Sequence, residues 1–162
     1  MNEASSWALR EEDASRIEGV LLTFLREAGA RTTLLVDRNG QLLTRVGEEP
    51  AFDHVAFASL TAADFSANDQ LARMLGEAEF GSLFHQGERE SLYLADIARR
   101  VILVVLFDDR TTLGLVKLRV RGTVHALGQV FDDMFQRGAV APRVEADFLG
   151  DAEDEIDRLF GA

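Results

Sequence analysis

The sequence predicts an α+β fold: five short strands in one antiparallel sheet, with three helices packed on its faces. Three observations lead there. Apolar residues recur at helical spacing in three stretches, five β-prone stretches lie between them, and tight turn signals join most of those strands. The order is helix, strand, strand, helix, strand, strand, strand, helix. Only the middle helix is long enough to serve as a parallel crossover, so antiparallel pairing is the natural arrangement.

The elements follow in order. Residues 13–28 carry Ile17, Val20, Leu21, Phe24 and Leu25 at spacings of three and four, one stripe of an amphipathic helix, and Gly29 stands at its C-cap position. Residues 31–37 form the first strand. Arg38-Asn39-Gly40 is a hairpin turn signal, so residues 41–46 return antiparallel. After a loop at 47–50, residues 53–76 form a long helix ended by Gly76. Three strands follow at residues 80–85, 90–95 and 101–107. The last has seven apolar residues in a row, as a central strand buried on both faces would. Thr112 caps a third helix reaching to about Arg137, with Val116, Val120, Val124, Leu127, Phe131 and Met134 inward.

This divides the chain into a domain at residues 13–137, a flexible linker at 138–150 holding Pro142 and two glycines, and an acidic amphipathic segment at 151–162. The length of 162 residues suits one compact core. Apolar residues make up 47%, enough to bury that core. The 28 acids against 17 bases give a net charge of −11, which disfavours nucleic acid and anionic membrane and favours a basic protein surface. Without cysteine there is no disulfide, thiolate metal site or thiol nucleophile. The polar start lacks a secretory apolar stretch, and the longest apolar run is far too short to span a bilayer. A soluble cytoplasmic protein is expected.

On a helical wheel of about 100° per residue, the middle helix has two apolar sides. Phe57, Leu60, Ala63, Ala67, Leu71, Met74 and Leu75 fall together, and this side is expected to cover the sheet. The opposite side carries Val55, Ala58, Ser59, Ala62, Phe65 and Ser66 before Asp69 and Arg73. Facing outward, its small residues would admit another backbone, and Phe65 would need a partner. The candidate partner-binding set is therefore Ser59, Ala62, Phe65, Ser66, Asp69, Gln70 and Arg73. Asp64 falls in the supposedly inward sector, where a carboxylate needs either a partner across an interface or a solvent edge.

The strings Phe84-His85-Gln86-Gly87-Glu88, Ser91-Leu92-Tyr93, Val101-Ile102-Leu103-Val104-Val105-Leu106-Phe107-Asp108 and Leu113-Gly114-Leu115-Val116-Lys117-Leu118-Arg119 together resemble the MglB-like branch of the Roadblock/LC7 family. Asp37-Arg38-Asn39-Gly40, Leu60-Thr61-Ala62 and Leu75-Gly76-Glu77 fit as well, as does the terminal Asp154-Glu155-Ile156-Asp157-Arg158-Leu159-Phe160. The resemblance implies a sheet with one helix on one face and two on the other. It also implies a homodimer formed through the middle helix and third strand. That dimer would bind an MglA-like small GTPase, reshape its switch regions and accelerate GTP hydrolysis with the GTPase's own catalytic residues, confining the active GTPase to one cell pole in motile bacteria. One departure stands out. Where the family has Gly-Asn and mainly small residues, this chain has Ala63-Asp64-Phe65-Ser66-Ala67-Asn68-Asp69-Gln70, so Ser66 and Gln70 replace Ala or Gly on the face implied to meet the GTPase.

No G-x-x-x-x-G-K-[ST] loop is present, so the chain does not resemble the GTPase itself. His54, His85 and His125 lack paired spacing and are read as structural or surface residues; no metal, cofactor or small-molecule substrate is expected. Arg99, Arg100 and Arg110 are the candidates for an arginine finger, although the resemblance points away from one. In the terminal segment, acids precede Ile156, Leu159 and Phe160, an apolar stripe suited to docking into a groove. The expected function is a regulator of GTP hydrolysis without its own active site. A non-catalytic scaffold that binds a GTPase or another roadblock protein is the first alternative, and a small-molecule sensor with an apolar pocket the second.

Overall fold

The computed structural model describes the backbone of residues 9–160 and the side chains of residues 9–137. The elements are α1 (Glu11–Ala28), β1 (Thr32–Asp37), β2 (Leu42–Gly47), α2 (His54–Met74), β3 (Ser82–Gln86), β4 (Ser91–Ile97), β5 (Val101–Phe107) and α3 (Leu113–Phe160). The strands form one antiparallel sheet in the order β2-β1-β5-β4-β3, so the element order and antiparallel pairing expected from the sequence hold.

Local chemistry accounts for the boundaries. Gly29 closes α1 in a left-handed conformation, φ 67°, with its N–H donating to the Leu25 carbonyl. In the β1–β2 turn, Asp37 Oδ1 accepts from the amides of Asn39 and Gln41, both at 2.9 Å. Gly76, at φ 80°, ends α2 with a pair of reversed bonds, Gly76 N–H to the Arg73 carbonyl and Glu77 N–H to that of Ala72. Thr112 Oγ1 caps α3 by accepting from the Leu115 amide.

β5 sits in the middle of the sheet and feeds two cores. Val101, Leu103, Val105 and Phe107 join Ile17, Leu21 and Phe24 of α1 and Val116, Val120, Leu127 and Phe131 of α3. Ile102 and Val104 turn to the opposite face, where Leu34, Val36 and Leu94 meet Ala58 and Phe65 of α2. One helix therefore covers one face and two cover the other. Asp13, buried at the start of α1, accepts from Arg137 Nη2 at 2.5 Å and ties α1 to α3.

Two expectations need correction. The orientation of α2 is the reverse of the one read from the wheel. Ala58, Thr61, Ala62, Phe65, Asn68 and Ala72 are buried against the sheet, while Leu60, Ala63, Ala67, Leu71, Met74 and Leu75 are exposed. The physical reason is clearance: small side chains let α2 lie close over the large aliphatics of β1, β4 and β5, and Phe65 fills the remaining space. Phe65 is thus part of the sheet-facing core and is not available to a partner, while Ala62, also buried, reaches only the floor of a cleft beside Ser66.

The other correction concerns the linker. The backbone of α3 is helical through residues 138–150 and on to Phe160. This stretch contains several helix-favouring Ala, Arg, Glu and Leu residues, and their propensity outweighs Gly138, Pro142 and Gly150. Side chains beyond Arg137, including those of Ile156, Leu159 and Phe160, lie outside the described residues.

With Phe65 fully buried, Phe65→Ala should lower stability by about 3–5 kcal/mol through lost burial and cavity formation. Denaturant unfolding checks this, and a loss below about 1 kcal/mol would mean that Phe65 is not the core residue of this face.

Candidate partner-binding face

The face is built on α2. Its first turn is fixed by Asp53, whose Oδ1 accepts from the amides of Val55 at 2.9 Å and Ala56 at 3.4 Å. Its inner side is anchored on the sheet by Phe65. The guanidinium of Arg38, reaching from the β1–β2 turn, lies 4.7 Å from the Phe65 ring centroid. Arg38 donates to Asp69 Oδ2 of α2 at 2.8 Å and, through Nη2, to Asp96 Oδ1 of β4. One arginine therefore joins a turn, a helix and a strand.

Three zones cross the outer surface of α2. Along the middle runs an apolar stripe in which Leu60 is 70% exposed, Leu71 56%, Met74 82% and Leu75 73%, interrupted only by alanines at 63 and 67. Phe57 stands half-buried beside the stripe and stacks on Phe52, ring centroids 4.5 Å apart. Toward the β1–β2 turn lies a polar flank of Ser59, Ser66, Gln70 and Arg73, all exposed, with Asp69 half-buried and paired with Arg38. Gly40 is required under this flank, because a Cβ there would come within 3.0 Å of the Ser59 backbone.

Toward the sheet edge, Asp64 Oδ2 meets His85 Nε2 of β3 at 2.6 Å. Among the described residues β3 is an outermost strand, hydrogen-bonded to β4 alone. The stripe is thus continuous with an unpaired sheet edge, a combination that monomers seldom leave in water.

Of the seven residues proposed from the sequence, five share this outer surface: Ser59, Ser66, Asp69, Gln70 and Arg73. Ala62 and Phe65 do not, being buried beneath it. Ser66, Asp69 and Arg73 border a polar cleft of about 320 Å³, which Arg38, Glu79 and Arg99 also line. Sequence reasoning missed Arg38 and His85, whose partners are distant in the chain. The awkward placement of Asp64 on the wheel was the one signal pointing to the His85 pair.

The finger candidates are held in different ways. Arg110 donates from Nε to both oxygens of Asp108, at 3.0 and 3.1 Å, and from Nη2 to Glu48 at 3.3 Å. These bonds hold the Asp108 carboxyl below its ordinary range, chiefly through the Arg110 side chain. Glu48 is likewise lowered, by Arg31 first and Arg110 second. Arg100 lies 3.8 Å over the Phe135 ring. Arg99 is 72% exposed in a turn where it and Ala98 both have positive φ, and it reaches Glu79 at 3.4 Å.

A groove of about 650 Å³ between α1 and α3 is lined by Gly19, Thr23, Leu118 and Gly122 among others and lies open to solvent. Among the described residues, no group of three His, Asp or Glu gathers as a metal would require, and no helix is long and apolar enough to cross a membrane.

The Roadblock/LC7 domain profile matches residues 16–107. Among solved structures, Myxococcus xanthus MglB is 40% identical over 74% of this chain and 97% of its own, with a TM-score of 0.71. The gliding protein MglB from Thermus thermophilus is 35% identical over 79% of this chain and 97% of its own, with a TM-score of 0.74. An MglB described in a tetrameric arrangement is also 35% identical, over 79% and 96%, with a TM-score of 0.74. No curated protein sequence matches the chain. By the residues matched and by the identity over most of its length, the chain belongs to the Roadblock/LC7 family.

Proposed function

We propose that this chain is an MglB-like regulator: a cytoplasmic homodimer that binds an MglA-type small GTPase and accelerates its GTP hydrolysis, so controlling polarity or motility. The observation that carries this reading is the exposed apolar stripe of α2 beside the unpaired edge of β3, on a chain 40% identical to an MglB. Burying one large aliphatic side chain contributes about 1.5–3 kcal/mol, so several such residues make a second copy a strong occupant of this face. An isologous interface would pair stripe with stripe and edge with edge.

The polar flank of Ser59, Ser66, Asp69, Gln70 and Arg73 then borders that interface and is the surface assigned to the GTPase. Acceleration would come from ordering the GTPase's own switch loops and catalytic groups. The internal engagement of Arg100 and Arg110 supports this over a supplied finger. It equally favours a second reading, a scaffold that binds the GTPase without changing turnover. Single-turnover GTP hydrolysis with the cognate GTPase separates the two.

Leu71→Glu should leave the monomer folded and shift sedimentation from dimer to monomer at micromolar concentration. A dimer of unchanged affinity would remove α2 from the interface. Arg99→Ala, Arg100→Ala and Arg110→Ala should each change the stimulated rate by less than about tenfold, whereas Ser66→Arg with Gln70→Arg should abolish GTPase binding. A hundredfold rate loss with normal binding in any one arginine variant would establish a finger instead.

The terminal segment bearing Ile156, Leu159 and Phe160 is assigned a docking role on the GTPase, where it would stabilise the complex or promote nucleotide exchange. Truncation after Arg137 should leave the dimer intact and weaken GTPase binding, more so at low salt if its acids contribute. Equal affinity and turnover in the truncated chain would reduce the segment to a solubilising end.

A further inference from the structure

We propose that self-association through α2 and β3 takes up protons, and that the Asp64–His85 pair is where they bind. This rests on the dimer reading above. Asp64 Oδ2 and His85 Nε2 are 2.6 Å apart, and their side chains are 38% and 50% exposed. The pair stands at the edge of the apolar stripe, Asp64 one helical turn from Leu60 and two from Leu71. His85 belongs to the strand whose outer edge is unpaired. A second copy seated on stripe and edge therefore covers the pair as well.

In the isolated chain water screens this contact, and a half-exposed pair of this kind contributes little to stability. Covering it changes the balance between its two protonation states. With His85 neutral, association removes a lone carboxylate from water. With His85 protonated, the group removed is a net-neutral pair, hydrogen-bonded and strengthened by the lower dielectric. The uncompensated carboxylate is the more costly of the two, so the covered state favours the proton.

Among the described residues neither Asp64 nor His85 has another ion-pair partner. The α2-packed residues of β3 and β4 nearest His85 are Leu83, Leu92 and Leu94. Asp96, at the far end of β4, is engaged by Arg38. The helical neighbours of Asp64, namely Leu60, Thr61 and Asn68, are uncharged. In the β3–β4 turn Glu88, Arg89 and Glu90 are exposed, and Glu90 pairs with Arg31. The net charge of −11 on each chain acts in the same direction, since each proton taken up eases repulsion between copies.

Proton uptake strengthens association as pH falls through the histidine range, and two-fold symmetry allows one proton per chain. The dimer dissociation constant of the full chain, followed by sedimentation, should rise by about tenfold or more between about pH 6 and about pH 8. His85→Gln and Asp64→Asn should flatten that dependence, while His54→Gln and His125→Gln should retain it. A dimer whose affinity is constant with pH overturns the proton linkage alone, as does a slope that survives His85→Gln. A chain that is monomeric at every pH overturns the dimer reading and the linkage together. If the dimer is too tight to dissociate, the weakened variant Leu60→Gln should show the same pH dependence of association in sedimentation, and a dissociation constant of that variant that is constant with pH overturns the proposal.

Discussion

The seven consecutive apolar side chains of β5 alternate between the two faces of the sheet, so neither face can be left in water. With β1 and β4 on either side, this strand makes both surfaces sticky over the width of three strands. A chain with three helices can meet that demand in few ways. α1 and α3 pair across one face, tied by Asp13 and Arg137, which leaves α2 alone to cover the other. The whole surface chemistry of α2 follows from its being a single helix spread over a broad apolar floor.

A lone covering helix contributes most when it lies close, and closeness selects small residues. Ala58, Ala62 and Ala72 let the backbone of α2 descend onto the sheet, and Phe65 reaches into the floor between Leu34, Leu94 and Ile102. Arg38 fixes the roll of the helix by stacking on Phe65 while bonding to Asp69 and Asp96. Its Nε, like the Nδ2 of Asn68, is buried without a partner among the described residues, so the clamp is not free of cost. With the small side facing in, the larger apolar side chains of α2 are necessarily directed to solvent.

That inversion marks what the sequence could and could not show. Element order, sheet pairing and the central position of β5 were legible because turn chemistry at Gly29, Asn39-Gly40, Gly76 and Thr112 acts locally. The inner face of α2 was not, because a helical wheel ranks sides by apolarity and assumes one burial partner. Here the less apolar side faces the sheet. Asp64 was the discordant residue: placed inward by the wheel, it belongs on the outer rim with His85. Ser59, Ser66, Gln70 and Arg73 were rightly read as outward, whereas Ala62 and Phe65 were grouped with them only because the faces were exchanged. The helical backbone through residues 138–150 was hidden by Pro142 and two glycines, which weigh heavily in local reading yet are outnumbered by helix formers.

The arrangement of zones on α2 bears on how such a surface would act. The apolar stripe separates the polar flank near the β1–β2 turn from the Asp64–His85 pair near β3, so the two polar zones share a helix without sharing a contact. Arg38 holds the polar flank from below through Asp69, and β3 holds the opposite rim through His85. In the proposed dimer, changes at the rim would alter how many dimers exist, and changes on the flank would alter what each dimer binds. Under the proposed function without a supplied finger, the chain would act by position, presenting a rigid surface against which another protein's loops settle. The sheet supplies that rigidity, since α2 can neither roll nor shift without breaking the Arg38 clamp and exposing the apolar face of β5.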